Sequence, residues 1–88
     1  MDELERLRRE ISGVDAEIVP LLLKRMEIAG RIGAYKRERG LPVPDDKREQ
    51  KVLERVGAQA GAEMGEYLRE IYRRIMEMSR LYQKGKKP

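Results

Sequence analysis

An apolar stripe too long for one small domain to cover constrains this chain more than any other feature. At about 100° per residue, Leu7, Ile11, Val14, Ile18, Leu21, Arg25, Ala29, Ile32 and Lys36 fall within roughly 40° of one direction. The spacing predicts one amphipathic helix over residues 2–39, from an acidic first turn (Asp2, Glu3) to a cationic last turn (Lys36, Arg37, Arg39) closed by Gly40. Such a helix is ~57 Å long, whereas a compact domain of this size has a radius of gyration of ~12 Å. One copy cannot bury the stripe, so two copies are expected to pair their long helices about a two-fold axis. Pro20 removes the hydrogen bond to the carbonyl of Ala16. Because the stripe keeps its phase on both sides of it, a kink is expected rather than a break.

Two further helices are predicted. In LPVPDD, Pro42 and Pro44 forbid helix, and Asp45 or Asp46 can then cap a short helix running to about Val56. Glu49 completes a capping box if Asp46 is the cap. The glycines of GAQAGAEMGE mark a turn or frayed join. A medium helix follows from about Glu63 to Gln83, with Met64, Leu68, Ile71, Ile75, Met78 and Tyr82 on one face. Residues 1–83 are expected to form a single domain, and KGKKP (84–88) a disordered basic tail. The expected fold is therefore all-α, with three helices per chain (one long, one short, one medium) forming an intertwined helical homodimer.

Composition narrows the chemistry. The absence of Cys and His excludes disulfides, thiolate or imidazole metal sites, Cys or Ser-His nucleophiles and histidine acid-base catalysis. Hydrophobic residues make up 40% with neither Phe nor Trp, a thin core that again favours association. Charged residues reach 41%, but the signs interleave and the net charge is only +4, so a small anionic ligand fits at least as well as nucleic acid. The opening MDELERLRRE lacks the apolar h-region of a signal peptide, and no apolar run approaches a membrane span. A cytoplasmic protein without a membrane partner is expected.

Polar residues recur where the helical patterns call for core. Arg25 and Lys36 differ by only about 20° in direction and ~16 Å along the axis, so they can grip a small molecule between them. Alternatively both snorkel or pair with Glu residues of a partner helix. Glu49 lies on the apolar side of the second helix with Val52, Leu53 and Val56, flanked by Arg48; Ser79 lies on the apolar face of the third, with Gln83 one turn on. Each has an ordinary reading by itself: a capping box or a pair with Arg48, Arg25 or Lys36 for Glu49, back-bonding for Ser79, a solvated helix end for Gln83. An unpartnered charge in such places costs several kcal/mol, so these groups need each other, water or a ligand. Arg8, at the edge of the stripe, is ~25 Å along the axis from Arg25. It is either a solvated arginine or reaches the same ligand from the other subunit of an antiparallel pair, which gives two equivalent sites per dimer.

LRREISGVDAEIVPLLLKRMEIAGRIGAYK, then GLPVPDDKRE, then IMEMSRLYQ resemble the all-helical class of chorismate mutases over residues 4–83. The resemblance implies an intertwined homodimer that converts chorismate to prephenate by a Claisen rearrangement in phenylalanine and tyrosine biosynthesis, with no metal or cofactor. It implies that Arg8 reaches across the interface to one substrate carboxylate and that Arg25 holds the other. Lys36 and Gln83 would donate to the ether oxygen of the breaking bond. Glu49 would accept from the ring hydroxyl beside the Asp45 backbone, Ser79 would assist at a carboxylate, and Arg48 would support the same wall. Pro20 and Pro44 depart from the family's usual pattern. The inventory suits the chemistry, because a pericyclic rearrangement needs a dianion held in its reactive conformer and donors at the oxygen that gains charge. Competing readings are an isochorismate pyruvate lyase of the same fold, a helical dimer binding nucleic acid through Arg8, Arg9, Arg37 and Arg39, and a purely structural helical partner. The nucleic-acid reading accounts for surface cations but not for Glu49, Ser79 and Gln83 turned inward together, so no nucleic-acid partner is expected.

Overall fold

In a computed structural model that describes residues 2–88, the chain forms helices α1 (Glu3–Glu38) and α2 (Asp46–Gln83). The side chain of Asp2 caps α1 by accepting from the Glu5 N–H at 2.8 Å, and Glu3 and Glu5 favour the positive end of its dipole. At the other end Gly40 adopts φ +65°, which lets the Leu41 N–H reach back to the Lys36 carbonyl at 2.8 Å. α1 runs through Pro20 as one element. Ala16 is exposed, and water can take the carbonyl that Pro20 leaves without a donor.

The expected three helices are replaced by two, because the join between the second and third is a single residue. Helix continues through the alanine-rich stretch on either side of Gly61, which alone leaves helical geometry with φ 88° and ψ 171°, a region essentially restricted to glycine. α2 reverses there, and its halves pack on each other. Val52 and Val56 meet Met76 in a small core that Leu53, Leu68 and Tyr72 flank. Close to the reversal, a Cβ on Gly65 would lie 3.2 Å from the Gly57 carbonyl oxygen, and one on Gly57 would overlap the Arg69 guanidinium. At its start α2 is capped by Asp45, whose side chain accepts from the Arg48 N–H at 3.1 Å. Of the two aspartates open in the sequence, the cap is therefore the first, and no capping box engages Glu49.

Only the C-terminal half of α1 packs on α2, through Ala29 and Gly33. In the N-terminal half, Leu7, Ile11, Val14, Ile18 and Leu21 are 43–67% exposed, and the radius of gyration is 16.2 Å. On the last part of α2, Met64, Ile71 and Tyr82 also face outward, while the intrachain core takes Leu68, Tyr72 and Met76. No helix is long and apolar enough to cross a membrane among the described residues.

Gly61→Ala should lower unfolding stability by ~1–3 kcal/mol, because alanine cannot adopt the backbone of the reversal without strain. Urea denaturation measures it, and an unchanged midpoint would show that the turn does not depend on glycine.

Candidate active site

The packed half of α1, the connector and both halves of α2 enclose a cleft of about 410 Å³. From α1 come Arg25, Ile28, Ala29, Ile32 and Lys36; from the connector, Val43 and Asp45; from α2, Arg48, Glu49, Val52, Arg55, Met76, Ser79, Arg80 and Gln83. The sequence-read residues Arg25, Lys36, Asp45, Arg48, Glu49, Ser79 and Gln83 thus line one cleft. Arg8 does not: it is exposed on the unpacked half of α1.

Arg25 is held from two sides. Its Nη1 donates to Ser79 Oγ at 2.9 Å, and its guanidinium lies 5.7 Å from the centre of the Tyr72 ring. Neither contact neutralises its charge, so it stays available to an anion. Lys36 Nζ donates to the Val43 carbonyl at 2.8 Å, and an ammonium with three N–H bonds keeps the others for a ligand. This carbonyl is presented because the two prolines hold the connector out of helix, so Lys36 is aimed by its own loop. Glu49 accepts a charge-assisted hydrogen bond from Arg80 Nη1.

Gln83 is set by backbone contact. A Cβ on Gly33 would lie 2.9 Å from both its Cα and its carbonyl oxygen, so only glycine lets α1 come this close. The same carbonyl accepts from Arg37 Nη1 at 2.8 Å, which satisfies an orphan of the helix terminus. The Gln83 side chain lines the cleft, yet its Oε1 is enclosed with no hydrogen-bond partner. A buried polar atom left unmatched costs ~1–3 kcal/mol, so its natural partner is whatever fills the cleft. Half a turn of the amide exchanges acceptor for donor.

Arg80 and Arg55 were not read from the sequence. Arg80 could have been, since it lies one turn after Met76 and one turn before Gln83 on the buried side of α2. Arg55 and the Val43 carbonyl carry no comparable signal. Five cations face two carboxylates along the cleft, an arrangement that favours a small, multiply charged anion. Of the arginines that phosphate binding would need, Arg37 is engaged by Gln83 and Arg39 stacks 3.8 Å from the centre of the Tyr35 ring.

Fold and site together define an all-helical protein with a cation-rich cleft of small-molecule size. The chain belongs to the chorismate mutase type II family, whose pattern matches residues 7–84. It is 41% identical over 56 residues to a bifunctional chorismate mutase/prephenate dehydratase of Aquifex aeolicus, covering 64% of this chain and 16% of that protein. It is 32% identical over 81 residues to the T-protein of Haemophilus influenzae, covering 90% of this chain and 22% of that protein. A 54-residue stretch, 61% of the chain, is 43% identical to a 3-dehydroquinate dehydratase of Pyrobaculum aerophilum and covers 18% of it. The chain thus spans about a fifth of the length of the curated relatives it matches. No solved structure matches it at comparable significance.

Gly33→Ala should be net destabilising, because overpacking at ~1–3 kcal/mol outweighs a helix-propensity gain of about 1 kcal/mol. Gly13→Ala, in the same helix with nothing within 4 Å, should instead gain stability. Urea unfolding of the two variants gives the order, and the reverse order would remove Gly33 from the role given it here.

Proposed function

We propose that this chain is a chorismate mutase acting as a homodimer with two equivalent sites. What carries the reading is the meeting, in one cleft, of two cations with hydrogen bonds to spare and a buried glutamine amide that has no protein partner. Chorismate is a dianion with an ether oxygen that gains negative charge as its bond to carbon lengthens. Arg25, backed by Ser79, takes one carboxylate and fixes the reactive conformer, the entropic part of the task. Lys36 and the Gln83 amide donate to the ether oxygen, the electrostatic part. Glu49 accepts from the ring hydroxyl beside the Asp45 backbone, and Arg48 adds positive charge to the same wall. The ether bond breaks as the new carbon–carbon bond forms, and no proton, nucleophile, metal or cofactor takes part.

The second carboxylate is the role proposed for Arg8 of the other subunit. The exposed stripe from Leu7 to Leu21 is the surface that pairing two α1 helices antiparallel would cover, and that pairing carries the Arg8 end of one chain toward the Arg25 region of the other. The same burial would supply stability that the small intrachain core lacks.

Loss of chorismate absorbance with purified protein, with the product identified, tests the reaction. Prephenate is expected, whereas pyruvate released from isochorismate would assign the lyase instead. Lys36→Ala should fold and reduce turnover by a few hundredfold, the effect of losing a donor to a developing oxyanion. Turnover within a fewfold of wild type would remove Lys36 from that role.

Shared sites predict complementation. Arg8→Ala and Arg25→Ala, each nearly inactive alone, should regain activity when unfolded together and refolded. A mixed dimer holds one intact site and one that lacks both arginines, so equal mixing should return about a quarter of wild-type activity. No recovery, together with a monomeric mass in solution, would overturn the shared site.

A further inference from the structure

We propose that Arg80 is a positioning residue for Glu49, neutralising and aiming the one carboxylate side chain that the proposed reaction places against substrate. The inference rests on the mutase reading for the identity of the ligand, but its structural basis is independent of it. Arg80 Nη1 donates to Glu49 Oε1 across 31 residues of sequence, and the two side chains are only 32% and 25% exposed. Both line the cleft. Glu49 is not occupied by a capping box, since Asp45 caps α2. Arg73, which lines a neighbouring groove with this pair, is itself bound to Glu70.

A dianion entering this cleft meets a difficulty of electrostatics. Arg25 and Lys36 attract it, while a bare carboxylate on the facing wall repels it with little solvent to screen the charge. The ring hydroxyl nevertheless needs an acceptor there. An ion pair reconciles the two demands. Arg80 cancels the charge through Oε1, and Oε2 keeps lone pairs for a neutral hydroxyl. The same hydrogen bond fixes Oε1 and so limits rotation of the carboxylate toward Arg48 or Arg25, either of which would withdraw the acceptor. Arg80 therefore acts on substrate through Glu49 and not by its own contact.

That claim separates cleanly in a double-mutant cycle of Arg80→Met and Glu49→Gln, with chorismate as the probe in both calorimetric binding and turnover. Arg80→Met alone should weaken chorismate binding by roughly tenfold or more, because it leaves a half-buried, unpaired carboxylate facing a dianion. In the Glu49→Gln background, with no charge left to cancel, the same substitution should change binding by less than about threefold. Arg80→Lys, which keeps a cation within reach, should restore most of the loss. Equal losses in both backgrounds would overturn the proposal in favour of direct contact or a purely structural role. If Arg80→Met does not fold, Arg80→Gln takes its place. Wild-type protein that binds chorismate without converting it would sink the mutase reading but leave the cycle readable from binding, and wild-type protein that does not bind chorismate would overturn both.

Discussion

The contact on which the site depends is the approach of α1 to the last turn of α2 at Gly33. A helix surface with a side chain at that position would stand off from the Gln83 backbone by the thickness of a methyl group. Instead the two backbones touch, Arg37 ties off the exposed carbonyl, and the end of α2 is drawn against the wall that carries Arg25 and Lys36. The wall that α1 shares with the end of α2 follows from that distance. The reversal at Gly61 then brings the first half of α2 onto the second, so that Glu49 and Arg48 close the remaining side.

The same geometry leaves half of α1 with nothing to pack against. An exposed row of Leu, Ile and Val about four turns long is unusual for a chain that must also bury enough apolar area to fold. Within one copy, the core of Val52, Val56 and Met76 is small. Folding and association are therefore expected to be linked, with the proposed dimer contributing a substantial share of stability and the concentration of protomer entering any measured midpoint.

Much of this was legible in the sequence because helices write their buried faces at fixed spacing. The long first helix, its Gly40 terminus and the prolines of the connector were read directly, and so were the residues from Arg25 to Gln83 that the fold gathers into one cleft. Two features were not. The join between the second and third helices reads as a turn or frayed join spread over the segment, because Gly57, Gly61 and Gly65 all weaken helix. Only Gly61 breaks it; Gly57 and Gly65 are bare so that the Arg69 side chain and the facing backbone can come close. Arg80 was missed because the apolar face of the last helix was centred on Ile71, Ile75 and Met78. Within one chain, the side turned to the core runs through Tyr72, Met76, Ser79 and Gln83. A helix that serves two surfaces carries two overlapping stripes, and periodicity alone does not say which belongs to its own chain.

The placement of charge in these stripes runs against stability. Replacing a buried ion pair by well-packed apolar residues is often neutral or stabilising, and an enclosed amide oxygen without a partner is a cost with no structural return. In this chain Arg25, Lys36, Glu49, Arg80 and Gln83 all stand where leucine or methionine would pack. Four of them are held by a contact that leaves capacity unused: a hydroxyl for Arg25, a carbonyl for Lys36, one of two oxygens for Glu49, the backbone alone for Gln83. A purely structural seam would complete those bonds internally. Groups fixed in place yet left incomplete are what preorganised stabilisation of a charged transition state requires, because their reorganisation has been met by folding before the ligand arrives.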